Sequence, residues 1–244
     1  MKLFKSIFVV ALSVAVLASC GGQTSKKYEG ISQSQLDSAS YAIGVSLGQM
    51  IKGSGIDAVN YGKILSGLKD VVSGSEVKIS DEEIGQVINA YIVKLGEAHA
   101  AEADAKEAKF FAENKTKEGV QETESGLQYQ IIDAGNPDLI PGEMDTVQVN
   151  YKGIVLGGTK EFDSTYQRGE PATFPVNRVV PGWSEGIKLI GEGGKIKLWI
   201  PYKLGYGANA ASPDLPGYST LVFDVELLKV TPYVEKDEKV AKKL

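Results

Sequence analysis

A single cysteine and a single histidine leave this 244-residue chain few routes to covalent or metal chemistry. Cys20 ends the string Leu17-Ala18-Ser19-Cys20, which follows Lys2, Lys5 and an apolar run from Ile7 to Ala18. That order is the pattern of a targeting segment. Its last four residues match the bacterial lipobox, in which the cysteine carries the lipid. With Cys20 assigned to lipid, no cysteine remains for a disulfide, a Cys-x-x-Cys redox pair or a thiol nucleophile. An ordinary secretory signal with an incidental cysteine is the alternative. A lone histidine argues against a transition-metal centre, and neither metal nor cofactor is expected. It also disarms a tempting motif. Gly182-Trp183-Ser184-Glu185-Gly186 fits the G-x-S-x-G elbow of serine hydrolases, but that triad needs a histidine after the serine. His99 lies upstream and reads as a solvent-facing helix residue, so Ser184 has no base and reads as an early helix residue.

Long apolar runs are equally scarce. Ile7 to Ala18 is too short to cross a bilayer comfortably, and no later stretch approaches that length. Positive charge is in deficit, with 26 Lys and Arg against 31 Asp and Glu, a net −5. Residues 1–19 hold two lysines and no acid, so loss of a signal peptide over 1–19 moves the charge to −7. That balance argues against nucleic acid as a partner. The expected product is anchored by lipid in the cell envelope while its folded part stays in water. Gly21 stands where an aspartate would favour inner-membrane retention. The outer membrane, facing periplasm or exterior, is therefore the expected location.

Residues 20–34 are polar and read as a tether. From Gln35 to Lys52, Leu36, Ala39, Ile43, Leu47, Met50 and Ile51 recur at helical spacing, and Asn60 to Val72 repeats the pattern. Gly44 and Gly48 form G-x-x-x-G with polar flanks, as two glycines under a crossing helix would. Ser80 with Glu83 forms a capping box, followed by a stripe of Ile84, Val87, Ile88, Tyr91 and Leu95. Beyond Gly96 the composition turns to Glu, Ala and Lys, with Glu102–Lys106 and Glu113–Lys117 at i,i+4. A helix from Asp81 to Lys117 is expected, its second half an exposed, ion-paired rod. Residues 35–118 thus make a helical region too thin to form its own core, and self-association would supply the missing burial.

After Gly119 the period becomes two, at Leu127, Tyr129 and Ile131, then Val147, Val149 and Tyr151, then Ile196, Leu198 and Ile200, then Leu221, Phe223 and Val225. One short helix is expected near Trp183, Ile187 and Ile190. Trp199 runs out of phase and belongs on the other face of its strand. The fold class is α+β, an antiparallel sheet over residues 119–230 wrapped on one helix, with a charged tail over 231–244. Ten of the twenty aromatics fall between Tyr151 and Phe223, interleaved with Gly and Pro turns. They describe a lined cavity with one carboxylate, Asp163, and no nucleophile.

Tyr151-Lys152-Gly153, Glu161-Phe162-Asp163-Ser164, Val179-Val180-Pro181-Gly182-Trp183, Gly205-Tyr206-Gly207-Ala208 and the run from Ser219 to Leu228 resemble the FK506-binding-protein (FKBP) family of peptidyl-prolyl isomerases. The helical region resembles the N-terminal domain of Mip-like and FkpA-like members, where such helices interlock two chains into a homodimer. The resemblance implies proline-containing polypeptides as substrates and an FK506-like macrolide as inhibitor. It places Trp183 under the prolyl ring, with Tyr151, Phe162, Val179, Val180 and Phe223 as walls. The Val180 N–H and Tyr206 hydroxyl would donate to substrate carbonyls, and Leu215 would close the rim. Asp163 would either accept from Tyr151 or lie near the rotating carbonyl. Arg168 either pairs with it or is a loop charge. Ala172 and Ala211 stand where some members carry larger residues, implying a wider pocket. Two functions follow: an isomerase assisting the folding of exported proteins, or a holdase chaperone using the helical cleft.

Overall fold

The computed structural model describes residues 30–235; Cys20, most of the tether and the end of the charged tail lie outside the described residues. The chain divides between Val59 and Asn60 into two units. In the first, α1 (Gln33–Gly53) begins where the Ser32 hydroxyl and the Gln35 side chain cap each other's backbone N–H. This reciprocal cap satisfies donors that a helix start leaves open, and it sets the start two residues before Gln35.

The second unit holds everything else. In it, α2 (Tyr61–Ser73) is capped by Asn60 and closed by Gly74 in the left-handed conformation. The long helix α3 (Asp81–Asn114) begins at the Ser80–Glu83 box. At 34 residues it spans about 51 Å. The Glu102–Lys106 pair forms at 2.6 Å. The expected Glu113–Lys117 pair does not, because Lys117 lies beyond the helix end, where its Nζ sits 5.7 Å from the Phe110 ring centre.

The expectation for the two halves of α3 needs correcting. The apolar stripe of the first half is open to solvent, with Val87 56% exposed and Ile84, Ile88 and Tyr91 also exposed. The charged half is the one that docks. Ala103, Glu107 and Asn114 are buried, and the helix joins the sheet through hydrogen bonds. Asn114 Nδ2 donates to Gln128 Oε1 at 2.9 Å, and Gln128 Nε2 to the Phe111 carbonyl at 2.8 Å. Buried polar groups favour pairing; Asn114 Nδ2 and the Gln128 amide pair across the helix–sheet junction while Asn114 Oδ1 has no partner among the described residues, and no period of apolar residues announces this contact. His99 is likewise half-buried, edge-on to Tyr218 at 5.9 Å.

The sheet comprises β1 (Val120–Glu122), β2 (Gln128–Asp133), β3 (Thr146–Val155), β4 (Glu161–Ser164), β5 (Ala172–Pro175), β6 (Lys195–Ile200) and β7 (Leu221–Thr231), with the one-turn α4 (Thr165–Arg168) and the short α5 (Pro181–Ile187). Its order is β1-β2-β6-β7-β3-β4, with β5 also on β3, all antiparallel. Leu198, Ile200, Leu221, Phe223, Val147 and Val149 face α5 and form the core with Trp183 and Ile187. Trp199 is buried outside that core, as its phase requires, opposite Gln128 and Val222.

The G-x-S-x-G string is a packing device. A Cβ on Gly182 would meet Ile200 Cγ2 at 2.4 Å, and one on Gly186 would meet Leu198 Cδ2 at 2.6 Å. Two bare positions one turn apart let α5 lie directly on β6, which seats Trp183 at the centre of the concave face. Ser184 Oγ donates to the Val176 carbonyl at 2.6 Å. Ser184→Ala is expected to leave isomerisation of a prolyl peptide within about twofold of the parent while lowering stability by about 1 kcal/mol, the net worth of one hydrogen bond. Peptide kinetics and thermal melting check both.

Candidate active site

A cavity of about 340 Å³ opens on the concave face, lined by Tyr151, Phe162, Asp163, Phe174, Arg178, Val179, Val180, Trp183, Tyr206 and Phe223. Several elements bring these together, with Phe162 and Asp163 on β4 and Phe174 on β5. β3 supplies Tyr151, β7 supplies Phe223, and α5 raises Trp183 from below. Trp183, 4% exposed, takes the rings of Tyr151, Phe174 and Phe223 edge-on at 5.3, 5.5 and 5.5 Å. Phe162 stands edge-on to Phe223 at 5.6 Å. Such T-shaped contacts, each worth about 0.5–1.5 kcal/mol beyond area, fix the wall before a ligand arrives.

Eight of the nine expected pocket residues converge here. Leu215 is the exception. It is 3% exposed and packs in the core behind the wall, because the turn closed by Leu215 N to the Ser212 carbonyl and Ala211 N to the Leu215 carbonyl folds its side chain inward. Two lining residues were not expected there. Phe174 enters from β5, where its register opposite Val147 fixes its side. Arg178 is an exposed charge at the end of a 3-10 turn over Val176–Arg178, with no periodic signal.

Asp163 accepts from the Tyr151 hydroxyl at 2.5 Å and pairs with Arg168 Nη1, while Arg168 Nη2 donates to the Tyr151 oxygen at 3.0 Å. Both carboxylate oxygens are therefore engaged, which favours the accepting role for Asp163 over a place at the rotating carbonyl and removes the loop-charge reading of Arg168. Burial, then the Asp163 bond, pushes the Tyr151 phenol above its usual range; burial, then the Asp163 charge, does the same for Tyr206. Among the described residues, no acceptor engages the Val180 N–H or the Tyr206 hydroxyl. The site therefore offers an aromatic floor, two open donors and no nucleophile poised beside a base.

Residues 36–131 match the domain amino terminal to FKBP-type peptidyl-prolyl isomerase, and residues 139–228 match FKBP-type peptidyl-prolyl cis-trans isomerase. The FKBP-type isomerase FkpA of Aeromonas hydrophila is 43% identical over 208 residues, covering 80% of this chain and 76% of that protein. The chain belongs to the FKBP-type peptidyl-prolyl cis-trans isomerases. The crystal structure of FkpA from Escherichia coli superposes with a TM-score of 0.58 at 40% identity, covering 82% of this FKBP and 98% of that chain. The outer membrane protein MIP of Legionella longbeachae is 37% identical over 201 residues, covering 80% and 85%. No helix among the described residues is long and apolar enough to cross a membrane.

The FKBP cavity has a pH signature. Phenols held above their usual pKa of about 10 keep their protons throughout the neutral range. Proton binding is tighter in the folded state, so the associated stabilisation is present below pH 10 and lost as pH rises through the raised values. Isomerase activity is expected to stay level from pH 6 to 9 and to fall only above the ordinary phenol range. Peptide kinetics across that series, with ultraviolet titration of the phenols, check it.

Proposed function

We propose that this isomerase accelerates Xaa-Pro rotation in exported proteins by binding the twisted amide non-covalently, with Trp183 under the prolyl ring. The observation that carries this reading is the preformed aromatic cavity with two open donors. Amide rotation faces a barrier of about 18–20 kcal/mol because conjugation must be broken. The twisted carbonyl no longer shares charge with nitrogen, and a water-poor aromatic wall favours that less polar state over the planar one. The Val180 N–H and Tyr206 hydroxyl would hold the flanking carbonyls. Asp163 and Arg168 would fix Tyr151 without exchanging protons with substrate.

The setting follows from Cys20 as a lipid anchor in the outer membrane and from a homodimer built by the helical region. The open apolar faces of α2 and of the first half of α3 support self-association, and Gly44 with Gly48 would admit a closely crossing partner helix. Light scattering of residues 21–244 is expected to give twice the chain mass; the mass of one chain would remove the dimer. The folding role is tested on a protein whose refolding is limited by proline isomerisation. Acceleration of its slow phase, lost on adding FK506, is expected.

The same open faces favour a second reading, a holdase that shields unfolded chains. Its test is aggregation of a proline-free client in the presence of the FK506-saturated protein. Persisting suppression supports holdase action away from the cavity, and unchecked aggregation ends that reading.

A further inference from the structure

The proposed donor Tyr206 sits in a long excursion between β6 and β7, and a single carboxylate from α3 ties down both of its roots. Glu107 is 8% exposed. Its Oε1 accepts the Tyr202 backbone N–H at 2.6 Å, just after β6, and the Thr220 hydroxyl at 2.6 Å, just before β7. The residue whose N–H Glu107 holds also frames Tyr206 through its carbonyl: the Tyr202 C=O accepts from Gly205 N at 3.0 Å and Gly207 N at 2.9 Å, the residues on either side of Tyr206. Gly207 in turn accepts from Tyr218 N at 2.7 Å. Tyr218, the one non-glycine residue with positive φ among those described, at 59°, reaches back to α3, its hydroxyl donating to the Gly96 carbonyl at 3.1 Å. Asp104, one turn before Glu107, pairs with Lys203 at 2.7 Å beside the first root.

A buried carboxylate is costly unless its oxygens are paired. Burial pushes the Glu107 carboxyl up, against the opposing effect of its two hydrogen bonds. A surface residue of a spacer helix would have no reason to be placed so. We propose that Glu107 is a positioning residue for isomerisation: α3 holds the Tyr202–Thr220 excursion through it, so that the Tyr206 hydroxyl stands over the cavity at the height of a substrate carbonyl. The long helix thereby completes the active site. This inference rests on Tyr206 being a substrate donor.

A double-mutant cycle on the full mature chain tests it, read as kcat/KM for a prolyl peptide. Tyr206→Phe and Glu107→Ala are each expected to cost about 3- to 10-fold, the worth of one hydrogen bond. The double variant is expected to lose no more than either single one, since the residues act in series. Glu107→Gln, which keeps an acceptor oxygen in place, is expected to restore activity; a general loss of packing would not be repaired selectively at the cavity. Thr220→Val severs one bond while leaving the carboxylate, and carries the same cycle should Glu107→Ala not fold. Full activity in Glu107→Ala, or costs that multiply in the double variant, would overturn the positioning role. Full activity in Tyr206→Phe would instead overturn the donor reading beneath it.

Discussion

Gly153→Val is expected to lower kcat/KM for prolyl peptides by at least about tenfold and to destabilise the domain by about 1–3 kcal/mol through overpacking. On β3, Gly153 stands opposite both Asp163 of β4 and Phe223 of β7. A Cβ there would meet Phe223 Cε1 at 2.5 Å and Phe162 Cζ at 2.9 Å. Neither ring can yield alone, because Phe223 is also locked edge-on against Tyr151 and Trp183. The two walls must move together, and the space they lose is the cavity. Gly153→Ala is expected to show the same defect in weaker form. A valine variant with parental kinetics would mean that these rings do not bound the substrate.

The second large effect falls on Trp183. Trp183→Ala is expected to cost about 3–5 kcal/mol of stability, the range for removing a buried aromatic. In whatever fraction stays folded, kcat/KM is expected to fall about 10- to 100-fold, or about 1.4–2.7 kcal/mol of transition-state stabilisation. Three rings lose their edge-on partner at once, and the prolyl ring loses its floor. Trp183→Leu separates the two losses, since it fills more of the core but offers no flat surface. It is expected to melt closer to the parent than the alanine variant while remaining clearly slower. A leucine variant as fast as the parent would contradict the floor role.

Strands β2, β3, β6 and β7 and the cavity were legible in sequence because they rest on local signals, whereas the short β1, β4 and β5 carry no alternation long enough to read. Alternation at Val147, Val149 and Tyr151 fixes which side of β3 faces α5, and the spaced motifs from Tyr151 to Phe223 carry the wall. What escaped rests on long-range hydrogen bonds or on turns. Glu107 looks like any other charge on a Glu- and Lys-rich helix, and only the fold brings it to Tyr202 and Thr220. The exposed-rod expectation failed for that reason. Leu215 was placed on the rim by resemblance, but the turn it closes directs it inward. Gly182 and Gly186 satisfied a catalytic pattern for a steric reason, and the absence of a downstream histidine was the clue that separated the two.

Glu107 also gives the helix–sheet junction a pH dependence of definite sign. A carboxyl whose pKa is raised by burial is penalised when charged, so this group favours the folded state more as pH falls from neutral through its raised value toward the ordinary carboxyl range near 4. Glu107→Gln is expected to flatten that part of the stability profile, as read from thermal melts between pH 4 and 7. A profile identical to the parent's would show that the junction does not titrate there.

The most direct test of the account is the cis-to-trans relaxation of an Xaa-Pro peptide by residues 21–244, followed with and without FK506 and repeated with Gly153→Val. Acceleration that the macrolide abolishes and the valine variant lacks is the predicted result. A folded protein that leaves the relaxation at its uncatalysed rate, or one whose catalysis persists with the cavity blocked, would contradict the assignment of the reaction to this cavity.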